Sequence, residues 1–418
     1  MKISIKSPAV LFIVIAASTL AASVLFLKIS PERQIVGDEP EYYALASNVA
    51  AGKGFSTDGQ TPAVFRPPVF AGLLGAWFRL GGGPSLPSAY LFQALMHSLA
   101  CATAFLLFME IFGALRLSLF LTFWLALLPP HLARITHVLQ EPTLTFLTTL
   151  SVLLSLKAIR LASARTAVCA GVSWGLCALA KFPAFVGPFL LAFTGFKNRR
   201  NSPYVKQALV VLVFFMLALI PWAARNYRQF HKVILVNSMG KCMMEGQVLY
   251  PYKQSLFVDE ADTRAGTLLV EDLNAKCISG SAENKIILKF MTRNPKYYFF
   301  GRPVSGAAYY TFPDFYTNWY TGALAPAVRF RKITAYAWWI LLTLPLYLLL
   351  FYRGAQLARG KLKAPLDFIV LFCLLYWAQY AVLWNDPRYS VPVYPLLLCL
   401  LPAGIKRIFG DKEAERAQ

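Results

Sequence analysis

Acidic residues are scarce in this chain: 20 Asp and Glu stand against 41 Lys and Arg in 418 residues, a formal net charge of +21. Histidine is scarcer still, and the four present are scattered without any zinc-ligand spacing. The chain has no glycine-rich phosphate-binding loop, no internal repeat, and no low-complexity tract beyond the Gly81, Gly82, Gly83 linker. These absences exclude a structural zinc site, a repeat array and a P-loop nucleotide site. What abounds is apolar: 57% of residues are hydrophobic and the mean hydropathy is +0.52. The apolar residues come in long runs rather than in stripes, which excludes disorder and an ordinary soluble fold. A bilayer is the better solvent for such runs, at roughly 20 apolar residues per crossing.

The expected fold is an all-α polytopic membrane protein of about ten transmembrane helices. The candidate spans are residues 8–29, 88–108, 117–130, 142–161, 166–180, 183–196, 207–223, 334–352, 366–384 and 389–405. Several are short for a crossing, notably 117–130 and the pair around Lys181 and Pro183, so the count has a range of eight to eleven. Ala21, Ala22 and Ser23 would suit a signal-peptide cleavage site, but the apolar run continues to Leu27, which favours an uncleaved first helix. The resulting division is 1–29 (first span), 30–87 (a long first outer loop with juxtamembrane helices), 88–223 (spans two to seven), 224–333 (outer region), 334–405 (spans eight to ten) and 406–418 (tail). In the outer region, Lys232 to Asn237 suits a strand and Ala282 to Tyr310 suits surface helices, a small mixed α/β region.

Loop charge supplies the orientation, because short cytoplasmic loops collect Lys and Arg. Threaded with the N-terminus inside, Lys2, Lys6, Arg116, Lys157, Arg160, Arg165, the Lys197 to Lys206 group, the Arg353 to Lys363 group and the Lys406 to Arg416 group all fall on the cytoplasmic side. The short outer turns hold only Arg134, Lys181 and Arg388. Both termini are therefore expected in the cytoplasm, and in a bacterial inner membrane the two long loops would face the periplasm. Topology accounts for much of the net charge, so nucleic acid is not an expected partner; the basic outer loops suit anionic membrane lipids or a phosphorylated acceptor. Of seven cysteines only Cys242 and Cys277 fall on the outer side, the one pair placed to form a disulfide.

The outer face carries the residues suited to chemistry. Gly37, Asp38, Glu39, Pro40, Glu41, Tyr42 put three carboxylates in four positions beyond the first span. Clustered carboxylates supply a general base or seat a divalent cation such as Mg or Mn; equally, Asp38 would cap a helix over residues 42–51. Arg66, on the stiff Arg66-Pro67-Pro68 turn, can grip a phosphate or act as a snorkelling anchor. Glu141 opens the fourth span as a second active-site carboxylate or a helix-dipole partner. Lys181 is open to the same pair of readings as Arg66. Arg225 in Pro221-Trp222-Ala223-Ala224-Arg225-Asn226-Tyr227, and Arg388 with Tyr389 before the last span, place further cations and phenols at the interface, where aromatic belts and snorkelling are the default account.

In order and spacing these elements resemble the GT-C class of integral-membrane glycosyltransferases, in particular bacterial relatives of the protein O-mannosyltransferases and of the lipid A aminoarabinose transferase. The resemblance rests on Asp38-Glu39 with Tyr42, Arg66-Pro67-Pro68, Glu141-Pro142, Ala180-Lys181-Phe182-Pro183, Pro221-Trp222 with Arg225-Asn226-Tyr227, and Arg388-Tyr389 with Pro392 and Pro395. It implies sugar transfer from a polyprenyl-phosphate donor to a glycolipid, glycan or protein acceptor in the cell envelope. By position, Asp38 is then the base, Glu39 and Glu141 are supporting carboxylates, and Arg66, Lys181 and Arg225 are phosphate ligands, with Tyr42, Arg388 and Tyr389 lining the substrate site. Where the aminoarabinose transferase has an Arg after the acidic pair, Glu41 stands here, which bears on donor recognition. The competing classes are a transporter or flippase of an anionic glycolipid, and an envelope-assembly scaffold. One-sided placement of the ionisable groups and the lack of a pseudo-repeat count against a carrier, and a scaffold leaves the first-loop carboxylates without a task.

Overall fold

The computed structural model describes residues 7–30, 33–197, 202–235, 339–361, 366–382 and 387–402, with a few isolated positions beside them. Helices α1 (Pro8–Ile29), α2 (Glu39–Ala50), α3 (Pro68–Leu80), α4 (Leu86–Phe112), α5 (Leu115–Leu127), α6 (Pro129–Ile135), α7 (Glu141–Arg160) and α8 (Ala164–Ala180) follow one another closely. A 3₁₀ turn (Phe182–Phe185) leads into α9 (Val186–Lys197) and α10 (Ser202–Phe230). Toward the C-terminus come a π turn (Trp339–Thr343), α11 (Leu344–Ala358), α12 (Leu366–Val382), a 3₁₀ stretch (Pro387–Val393) and the short α13 (Tyr394–Leu398).

Local chemistry sets these boundaries. Ser85 caps α4 by accepting from the Ser88 amide, Pro87 fits the first turn, where its missing N–H costs nothing, and Gly113 closes the helix at φ +63°. Ser163 caps α8 in the same way. Between α5 and α6 the Pro129-Pro130 pair removes two donors and pushes Leu128 out of the helical region, and the two helices meet at 53°. His97 of α4 donates to the freed carbonyl of Ala126 at 3.3 Å, so the break is satisfied inside the protein.

Four described helices are long and apolar enough to cross a membrane, namely α1, α4, α7 and α10, or five if the bent α5–α6 pair counts as one span. Helices occupy the other expected positions but α8, α9 and α12 are shorter, and 389–405 is a 3₁₀ stretch followed by a helix of five residues rather than one continuous span. Pro392 and Pro395 explain that difference, because each deletes a helical hydrogen bond. Among the described residues no strand forms. Lys232 to Leu235, expected to be extended, gives its carbonyls to side chains of α10 instead: Ile234 accepts from Asn226 at 2.7 Å and Leu235 from Trp222 at 2.7 Å. Cys242, Cys277, Asn385, Asp386 and nearly all of 282–310 lie outside the described residues.

The core runs between α4, α7, α8, α10 and α12. Small residues let α8 and α10 touch backbone to backbone: a Cβ on Gly171 would stand 2.5 Å from the Val211 carbonyl oxygen. By contrast α1 lies at the periphery against α4 and exposes Ile13, Leu25 and Ile29, as a lipid-facing helix does. A second cluster docks the 30–87 segment on the bundle: Tyr42 and Leu45 of α2, Phe70 and Phe78 of α3, Phe92 of α4 and Val138 are buried together. Each such side chain contributes roughly 2 kcal/mol of burial. This docking places the start of α2 beside the start of α7.

Candidate active site

Five chain segments converge at one end of the bundle, and charged side chains meet there. Gly37, at φ +63°, turns the chain into α2 with Asp38 at the corner. Asp38 sits at the N-cap position, yet its side chain makes no capping hydrogen bond. Both its oxygens are used elsewhere: Oδ1 accepts from Arg66 Nη2 and Oδ2 from Arg388 Nη2, each at 2.7 Å. Arg388 lies 350 positions away in sequence. The capping alternative for Asp38 is thereby answered by geometry.

Each arginine also faces a second carboxylate with Nε, in a hydrogen bond for Arg66 and in a longer ion pair for Arg388. Arg66 Nε donates to Glu41 Oε2 at 2.7 Å, and Arg388 Nε stands 3.7 Å from Glu141 Oε1. Glu141, the first residue of α7, is 1% exposed, and its Oε2 has no hydrogen-bond partner. Next to it, Gln140 accepts a hydrogen bond from the Tyr42 hydroxyl. The Arg66 guanidinium lies 5.3 Å from the Tyr42 ring centroid and 4.9 Å from that of Phe65.

Lys181, at the C-terminus of α8, stands 3.4 Å from the Tyr389 ring centroid, and Tyr380 of α12 packs on the same ring at 4.7 Å. Cations over aromatic faces are held in place while staying charged. Among the described residues the cluster therefore contains three carboxylates (Asp38, Glu41, Glu141) and three cations (Arg66, Lys181, Arg388). Burial pushes the Asp38 carboxyl up, but Arg388 first and Arg66 second, with Lys181 adding to them, overcome this and hold it at about 2. Burial alone would lower the Arg66 guanidinium; Tyr42, Asp38 and Glu41 together raise it.

Two of the sequence-selected residues have other partners. Glu39 is 2% exposed, paired with Arg33 and accepting from the Val138 amide at 3.0 Å, while Arg33 also donates to the Thr136 carbonyl at 2.9 Å. This knot ties the segment before α2 to the turn before α7. Arg225 donates to the carbonyls of Ala63 at 2.8 Å and Phe55 at 3.2 Å and lies against the Trp222 ring, so it holds the 55–63 loop to the end of α10. Sequence reasoning left Arg33, Gln140 and Tyr380 out of the site. Gln140 had a signal in its adjacency to Glu141, whereas Tyr380 lies in an apolar run that offers none.

Among the described residues no three His, Cys, Asp or Glu side chains are placed to hold a metal ion together, and each Asp38 oxygen accepts from an arginine.

No protein-family model matches the chain, and no curated protein sequence does. Solved structures do. The archaeal oligosaccharyltransferase AglB from Archaeoglobus fulgidus, solved in complex with an inhibitory peptide and a dolichol-phosphate, superposes with a TM-score of 0.55 at 15% identity, over 96% of this chain and 51% of that one. ArnT from Cupriavidus metallidurans, bound to undecaprenyl phosphate, gives 0.53 at 14% identity, over 98% of this chain and 62% of that one. The chain thus spans between half and two thirds of the length of these two proteins. At such identities the likeness establishes the fold alone, which this chain shares with the membrane portions it matches in these two proteins.

Proposed function

We propose that this chain is a glycosyltransferase that moves a sugar from a polyprenyl-phosphate donor to an acceptor of the cell envelope, a lipid A or core glycolipid, a glycan or a protein. The observation that carries the reading is the clasp of Asp38 by Arg66 and Arg388, with Glu141 and Lys181 beside it. A lone anchor or helix cap needs no such convergence, whereas group transfer from a phosphate needs an acid–base group and preorganised cations together. The two structural neighbours were solved with dolichol-phosphate and undecaprenyl phosphate, which are lipids of the required kind.

In the proposed reaction the acceptor O–H or N–H approaches the anomeric carbon while its proton passes to Asp38. The new bond forms from the acceptor atom to that carbon as the carbon–oxygen bond to phosphate breaks, and the electron pair leaves on the polyprenyl phosphate. Arg66, Arg388 and Lys181 neutralise the charge that develops there. Tyr42 lies against Arg66, and Tyr389 lies against both Lys181 and Arg388, while Glu141 is the supporting carboxylate. Glu39 and Arg225 fix the walls of the site rather than touching substrate. The isoprenoid tail stays in the bilayer, so no soluble nucleotide-binding domain is needed. With both termini cytoplasmic, as loop charge argues, the site opens to the periplasm of a bacterial inner membrane.

The test is product formation by purified protein in lipid nanodiscs with a polyprenyl-phosphate-linked sugar and extracted envelope acceptors. Transfer that falls by more than a hundredfold in Asp38→Asn supports the reading. Wild-type rates in that variant would remove Asp38 from the base role, and movement of donor across the bilayer without product would favour a carrier.

A further inference from the structure

A base accepts a proton best when its charge is not already neutralised, and each Asp38 carboxylate oxygen accepts from a guanidinium group at 2.7 Å. Those two guanidinium groups are the ones assigned above to the donor phosphate. Among the described residues the cluster is also balanced, three carboxylates against three cations, so a phosphate added to it competes with these carboxylates for the cations. Resting on the proposed function, we infer that Asp38 and the donor phosphate compete for Arg66 and Arg388, so that docking of the phosphate is the event that frees Asp38 to take the acceptor's proton.

The geometry is suited to such an exchange. In both arginines the terminal Nη2 faces Asp38 while Nε faces a different carboxylate, Glu41 for Arg66 at 2.7 Å and Glu141 for Arg388 at 3.7 Å. Arg66 can therefore give up Asp38 and stay hydrogen-bonded to Glu41, and Arg388 can do so while it stays paired with Glu141 and donates to the Tyr389 hydroxyl at 3.1 Å. Phosphate oxygens accept from Nη2 as a carboxylate does, so the donors need not be rebuilt. Asp38 is also the most open member of the clasp, at 30% side-chain exposure against 16% and 13% for Arg66 and Arg388. Its corner follows Gly37 at φ +63°, outside the regular part of α2. The anchored cations stay and the carboxylate moves. The consequence is an order of events: without donor the base is quenched by its own phosphate ligands, and the acceptor meets an active base only once a lipid phosphate is seated.

Binding and transfer respond in opposite directions to the same change, which makes the idea testable. With polyprenyl phosphate lacking any sugar as the probe, and full-length protein in nanodiscs, Asp38→Asn is expected to bind about tenfold tighter than wild type, because the competitor is gone. Glu141→Gln, which removes an equal charge that faces Nε at 3.7 Å without releasing Nη2, is expected to tighten binding by clearly less than Asp38→Asn does. Equal tightening in both variants would mean plain charge removal and overturn the exchange. Unchanged or weaker binding in Asp38→Asn, with transfer intact in wild type, would overturn it while leaving the proposed function standing. If wild type neither binds the probe nor transfers sugar, the proposed function itself fails. A wild-type measurement guards against misfolding of the variants: carbodiimide labelling of Asp38, read by mass spectrometry, should rise several-fold when polyprenyl phosphate saturates the protein, and labelling that stays level or falls refutes the release.

Discussion

Removing Arg388 tests the site most severely, because one side chain serves both acid groups. Its Nη2 holds Asp38 at 2.7 Å and its Nε faces Glu141 at 3.7 Å, with the arginine 13% and Glu141 1% exposed. Asp38 is held at about 2 against an ordinary 3.8, with Arg388 the largest of the lowering influences, a depression equivalent to about 2 kcal/mol of net interaction. Arg388→Gln forfeits much of that and leaves Glu141 buried without its nearest cation, a loss of about 3 kcal/mol by analogy with other broken buried pairs. Transfer kcat/KM should therefore fall about a hundredfold to a thousandfold. Arg388→Lys should recover little, since a single ammonium cannot reach both carboxylates from two directions. The pH profile has a definite sign. A lost cation raises the Asp38 pKa, so the acid limb of kcat/KM, which reports the free enzyme, should move up by about one to two units from its wild-type position. The assay is transfer in nanodiscs across pH, with thermal unfolding followed in parallel to exclude collapse of the fold. A lysine variant with wild-type kcat/KM and an unmoved acid limb would refute the reasoning.

Arg33→Ala breaks the knot around buried Glu39 and should destabilise the protein by about 3 kcal/mol, read as a lowered unfolding midpoint in detergent, with partial rescue when Glu39→Gln removes the stranded charge. Arg225→Ala should leave polyprenyl phosphate affinity within about twofold while making the 55–63 loop more sensitive to limited proteolysis; a donor affinity lost in proportion would return Arg225 to the phosphate site. Gly171→Val forces a side chain against the Val211 carbonyl and should cost about 2 kcal/mol or more, measured as a lower melting temperature, whereas an equivalent change at lipid-facing Ile13 should cost little.

How much of this was legible in the chain depended on which physical signal each feature uses. Apolar runs announce the positions of α1, α4, α7 and α10 because the bilayer demands length and composition together. The same signal misjudges 389–405, where apolarity is high but Pro392 and Pro395 forbid a regular helix, and 117–130, where Pro129 and Pro130 end the helix and begin another. Local sequence could not choose between cap and catalytic carboxylate for Asp38, or between snorkel and ligand for Arg66, because each choice depends on a partner tens to hundreds of residues away. What the sequence does offer is a grouping: loop charge leads one to expect Asp38, Arg66, Glu141, Lys181 and Arg388 on one face, and the fold brings these five together. Glu39 and Arg225 share that face and carry the same types of charge, yet are drawn into backbone contacts. Membership of the face is thus a topological property that charge statistics can reveal. Membership of the cluster is decided by how α2 and α3 dock on α4 and α7, through Tyr42, Phe70, Phe92 and Val138, residues whose own sequence signature is only that of a core.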